Sequence, residues 1–178
     1  KAATLHCLGS LKANTGDIAG AIALYEQSLA IFESIGNLQG KAATLHCLGS
    51  LKANTGDIAG AIALYEQSLA IFESIGNLQG KAATLHELGS LKANTGDIAG
   101  AIALYEQSLA INESIGNLQG KAATLQWLGW LAATEQGDFE TGLNYLQQSL
   151  EILQHIQSPK AETVREIIAR VQQLADGR

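Results

Sequence analysis

Leucines recur at every third position near the start of the chain, at Leu5, Leu8 and Leu11, with His6, Ser10, Ala13 and Asn14 on the opposite side. That spacing predicts a helix from about Ala2 to Asn14. Thr15-Gly16 closes it, because glycine takes the left-handed conformation that ends a helix, and Asp17 is placed to cap the next one. The second helix is apolar on two sides: Ile18, Ala21, Ile22, Tyr25 and Leu29 form one stripe, and Leu24, Ile31 and Ile35 another. A helix with two apolar stripes is packed from two sides, one stripe against its own first helix and the other against the first helix of the next unit. Gly36 stops the second helix and Asn37 caps a helix starting near Leu38. Connections this short make neighbours antiparallel, so the unit is a helical hairpin, with Gly9, Gly20 and Ala21 as the small residues that let helices approach.

The whole pattern then repeats every forty residues. Residues 41–80 copy 1–40 without a change, 81–120 differ only at Glu87 for cysteine and Asn112 for phenylalanine, and 121–157 is a diverged copy. Self-similarity at this period is the mark of a stacked architecture in which each unit buries its apolar face against its neighbours. The fourth copy keeps Leu125, Leu128, Gly129, Gly137-Asp138 and Tyr145 but has one extra residue before the turn, which should lengthen or distort the end of that first helix. Ser158-Pro159 opens a last helix, serine as cap and proline at the first helical position. Its apolar set Ala161, Val164, Ile167, Ile168, Val171 and Leu174 makes one face, while Glu162, Arg165, Glu166, Arg170 and Gln173 face water, the two-sided character of a helix that closes a stack. No equivalent closes the start, so the first helix should present a bare face there, and end-to-end self-association through it, molecules stacking head to tail, is one expectation.

The order Leu8-Gly9, Gly16-Asp17, Ala21-Ile22, Tyr25 and Leu29 resembles the tetratricopeptide repeat. Departures are Leu5 for the usual tryptophan, Lys12 for the usual tyrosine, Ser28 for the small residue late in the second helix, and no closing proline. The unit of forty residues, extended through Phe32-Glu33-Ser34-Ile35-Gly36-Asn37, is similar to the long repeats of Pins-type polarity scaffolds, kinesin light chain and bacterial signalling proteins. The resemblance implies an all-α, right-handed α–α superhelix. It comprises four helix-turn-helix repeats (1–40, 41–80, 81–120, 121–157) and a capping helix over 158–178. It further implies a non-catalytic scaffold that binds a peptide or protein segment along its first helices, part of a larger bacterial signalling or assembly protein.

Charge changes the picture little. The net formal charge of −6 is spread along the chain as −1, −1, −2 and −2 over 1–40, 41–80, 81–120 and 121–178. Without a basic patch, neither nucleic acid nor an anionic membrane is an expected partner, and no apolar run is long enough to span a bilayer. Cys7 and Cys47 occupy one slot in adjacent units, too far apart to bridge, and read as free thiols of a reducing, cytoplasmic compartment. The start at Lys1 in mid-pattern, with no methionine anywhere, reads as a piece of a longer chain. Lys12, on the apolar side of its helix, is expected to cover core with its stem and keep its ammonium in water.

Candidate chemistry is sparse. His6 and Ser10 at i, i+4 could touch, as could His46 with Ser50 and His86 with Ser90, but no acid orients the imidazole and a solvated histidine is the simpler reading. One histidine per unit does not make a zinc site, and no cofactor is expected. The face implied to bind carries His6, Ser10, Ala13 and Asn14, then His46, Ser50, Ala53 and Asn54, then His86, Ser90, Ala93 and Asn94, and finally Gln126, Trp127 and Trp130. This ladder either meets a peptide or is merely solvated, and the tryptophans either anchor a partner or pack on the capping helix. Glu87 in the cysteine slot argues that the slot is exposed, and Asn112 in place of Phe32 and Phe72 argues for a half-exposed helix end.

Overall fold

The computed structural model describes residues 1–177, and every described element is helical. Arg178, the last residue of the expected closing segment, lies outside the described residues. Two compact units divide the chain, Lys1–Leu91 and Lys92–Arg178.

The first unit contains α1 (Ala2–Asn14), α2 (Ile18–Ser34), α3 (Leu38–Asn54), α4 (Ile58–Ser74) and most of α5 (Leu78–Asn94). The predicted turns are present. Gly16 and Gly56 sit at φ +83° and +86°, where a side chain would be strained. Asp17 and Asp57 each accept the third backbone N–H of the following helix at 2.9 Å. Asn37 does the same for α3 at 2.8 Å. Lys12 reaches across its turn to pair with Asp17, and Lys52 pairs with Asp57 at 2.6 Å, so the lysine head group has a specific partner as well as water. That pairing, followed by the Gly20 and Gly60 amides, holds both aspartates below the usual carboxylate range.

Packing between hairpins explains the motif letters. Leu48 and Leu51 of α3, each 5% exposed, pack against Ala21 and Tyr25 of α2, and burial of one such leucine stabilises by about 1.5–3 kcal/mol. A side chain at Gly9 or Gly49 would lie 3.0 Å from the ring of Tyr25 or Tyr65, so the Leu-Gly pair exists to seat the tyrosine. Ser28 and Ser68, fully buried, donate to the carbonyls of Ala2 and Ala42 at 2.9 Å. Phe32 and Phe72 are buried, not half-exposed, and a Cβ at Gly80 would come within 2.6 Å of the Phe72 ring. In α1 the same leucines have no preceding hairpin in this sequence to cover them: Leu8 is 46% and Leu11 60% exposed.

The second unit holds α6 (Ile98–Ser114), α7 (Leu118–Thr134), α8 (Phe139–His155) and α9 (Lys160–Asp176). The extra residue of the fourth copy does not lengthen α7, which keeps the 17 residues of α3. It is absorbed in the turn, where Glu135 stays helical and Gly137 takes φ +70°. The insertion also shifts the register: Leu146, fully buried beside Gly129, occupies the slot of Tyr25, and Tyr145 is the half-buried residue before it. Asn112 is 3% exposed, so its slot is core in this copy too. Its carboxamide is paired: Asn117 Nδ2 donates to Oδ1 at 2.8 Å, and Nδ2 donates to Ser108 Oγ at 3.3 Å. α9 covers α7 and α8 with Ala161, Val164 and Val171, while Ile167 and Ile168 are half-buried. Leu174, expected on that face, is 44% exposed. Ser158 Oγ accepts the Lys160 amide at 3.3 Å, and the helix begins one residue later than the sequence suggests.

Candidate functional site

In the first unit, α1 and α3 flank a cavity of about 370 Å³ lined by Ser10, Ala13, Asn14, Ile18, Tyr25, His46, Cys47, Ser50, Leu51 and Asn54. The expected ladder residues Ser10, Asn14, His46, Ser50 and Asn54 therefore come together. His6 does not line this cavity. Its Nδ1 lies 3.1 Å from Thr44 Oγ1, and the same bond joins His46 to Thr84.

These bonds fix the imidazole tautomers. A threonine hydroxyl has one proton, and Thr44 and Thr84 each give it to the carbonyl four residues back, at 2.8 Å. Nδ1 of His6 and of His46 must then donate, which leaves Nε2 as the acceptor. Burial lowers both pKa values, favouring the neutral ring. The histidines are thus half-buried links between hairpins and not surface residues. Each ring also lies against a tyrosine, centroids 5.2 Å apart for His6 and Tyr25 and 5.1 Å for His46 and Tyr65.

Ser10 makes no bond with the His6 ring. Its hydroxyl donates to the His6 carbonyl at 3.2 Å and lies 2.9 Å from the Tyr25 hydroxyl, which therefore donates to it. No histidine–serine dyad forms at this position. Burial raises the Cys47 thiol above its ordinary pKa, and Cys7 and Cys47 are both free; a thiol shifted this way is a poor nucleophile. Glu87 is half-buried, against the expectation of an exposed slot, and burial raises its carboxyl pKa. His86 and Ser90 are half-buried on α5, and Asn94, exposed, falls in the second unit.

In the second unit, Gln126, Trp127 and Trp130 of α7 meet Thr163, Glu166, Ile167 and Arg170 of α9 around another cavity of about 370 Å³. Trp127 stacks on Tyr105, planes 7° apart and centroids 6.3 Å apart. The Arg170 guanidinium sits 5.1 Å above the Trp130 ring, a cation–π contact. Trp130 packs against the cluster that α9 closes, and both tryptophans line the open space beside it. Sequence reasoning missed the α9 contribution, having set Glu166 and Arg170 toward water. It also missed Tyr25, although the tyrosine recurs one helix turn from the buried serine. Among the described residues no three histidine, cysteine, aspartate or glutamate side chains converge as a metal site, and no helix is long and apolar enough to cross a membrane.

The family described as tetratricopeptide repeat matches residues 1–74 and 80–155. No curated protein sequence matches the chain. Among solved structures, BtubC (BKLC) from P. vanneervenii is 20% identical with a TM-score of 0.77, covering 88% of this chain and 64% of its own. A Podosopora anserina protein described as a kinesin light chain with nearly identical TPR-like repeats is 23% identical, TM-score 0.75, covering 98% of this chain and 86% of its own. The apo form of RapI is 12% identical with a TM-score of 0.82, covering 97% of this chain and 48% of its own. The chain thus spans less than two thirds of BtubC and about half of RapI, and these likenesses speak to fold.

Proposed function

Since the chain belongs to the tetratricopeptide-repeat family, an α–α solenoid class whose repeats mediate protein interactions, we propose that it is a non-catalytic scaffold binding an extended peptide or protein segment on the face of its first helices. One observation carries this reading: each unit has an open cavity of about 370 Å³ lined by the ladder residues of α1 and α3 or by the tryptophans of α7. Hydrogen-bonding groups at Ser10, Asn14, Ser50 and Asn54, with the free Nε2 of His46, suit a peptide backbone, and Trp127 and Trp130 suit an apolar side chain. A cytoplasmic setting fits the two free thiols. The test is a peptide-array screen with the whole chain, repeated after His46, Ser50 and Asn54 are changed to alanine. Binding lost in the triple variant, with helicity retained, supports the reading; binding that persists unchanged overturns it.

A further inference from the structure

Glu87 is one of only two positions at which the third copy departs from the second. The slot holds Cys47 one repeat earlier, on the wall of the cavity beside α1. By the forty-residue repeat, Glu87 takes the matching place where α5 faces α3. Its charge is felt at the Tyr65 hydroxyl, which also senses Cys47 and bonds with Ser50. Glu33, Glu73 and Glu113 each hold a lysine, at 3.0, 2.8 and 2.9 Å. Glu87 has no such partner: among the described residues no cation lies within ion-pair distance of its carboxylate.

A half-buried carboxylate without a counter-charge is the state that gains most from an incoming cation, because its desolvation has already occurred in the free protein. The Tyr65 hydroxyl, the group that feels this carboxylate, is neutral and leaves that charge uncompensated. A divalent metal is a poor occupant, since it needs several oxygen ligands and no cluster of ligating side chains forms among the described residues. The net charge of −6 also favours a basic partner. We propose that Glu87 selects the partner: the bound segment carries a lysine or arginine whose head group pairs with the Glu87 carboxylate. This rests on the peptide-binding reading above.

The experiment uses an array of randomised decapeptides and the whole chain as wild type, Glu87→Cys and Glu87→Gln. Glu87→Cys restores the residue found at this slot in the first two copies, so it preserves the fold. Wild-type binders should be enriched in lysine or arginine, and replacing that residue by norleucine should weaken binding about tenfold or more. Both variants should bind the lysine and norleucine peptides alike. Binders without a basic preference, or an equal lysine-to-norleucine loss in wild type and Glu87→Cys, overturns the assignment of Glu87 while leaving peptide binding intact. Absence of any peptide binding in all three proteins overturns the scaffold reading itself, and this inference with it.

Discussion

Replacing Asn112 by phenylalanine should make the protein more stable. The slot is 3% exposed, and its counterparts Phe32 and Phe72 are buried against glycines that leave room for the ring. Gly120, the matching glycine, is retained in the third copy. Burying a phenylalanine contributes about 1.5–3 kcal/mol. Against that, the change removes the 2.8 Å bond from Asn117 and the weaker 3.3 Å bond to Ser108, together worth roughly 1 kcal/mol. A net gain of about 1 kcal/mol follows. With a urea dependence of ~1–3 kcal/mol/M for small proteins, the midpoint should rise by roughly 0.3–1 M. Asn112→Ala should lower it, having lost both the bonds and the volume. Both tryptophans of the chain, Trp127 and Trp130, belong to the same unit as Asn112, so fluorescence-monitored unfolding reads the relevant part. A midpoint for Asn112→Phe at or below wild type would refute the argument, and would mean that the polar chain through Asn117 and Ser108 is worth more than an aromatic core.

Three further outcomes are expected. Gly80→Ala should cost about 1–3 kcal/mol in denaturant unfolding, because a Cβ there would lie 2.6 Å from the Phe72 ring. Leu51→Ala should cost about 2–5 kcal/mol whereas Leu11→Ala, at the same position of an identical sequence, should change stability by less than about 0.5 kcal/mol, since the two leucines are 5% and 60% exposed. Burial raises the pKa of Glu87 in the folded state, so the folded protein binds the proton more tightly and stability falls as pH rises from the unfolded glutamate value of about 4.3 through the folded one. Glu87→Gln should therefore gain stability over wild type at pH 7, and the gain should vanish below pH ~4 in parallel urea titrations.

The hairpin and its turns were readable from the chain because they depend on local chemistry. Asp17, Gly16 and Asn37 act through neighbours within four residues, and they sit as the spacing says. Exposure of the variable slots was not readable in this way. Asn112 looked half-exposed because asparagine is polar, yet a buried carboxamide is acceptable once Asn117 and Ser108 supply its bonds. His6 and His46 looked solvated because their partners, Thr44 and Thr84, lie 38 residues away. The register of α8 slipped by one in the sequence because Tyr145 copies the letter Tyr25, while the extra turn residue moves Leu146 into its place. On the face of the first helices, the ladder of serines and asparagines was legible as a row of small polar residues. The contribution of Arg170 was not, because it depends on where α9 lands on Trp130.

The most direct test of the scaffold reading is an NMR titration of the whole chain with a peptide selected on the array. The account predicts shifts at the amides of Ser10, Ser50 and Asn54 or at the indole N–H signals of Trp127 and Trp130, with little change along exposed second-helix positions such as Glu26, Gln27, Glu66 and Gln67. Shifts concentrated on those second-helix residues, with Ser50, Asn54 and both indoles unmoved, would contradict it.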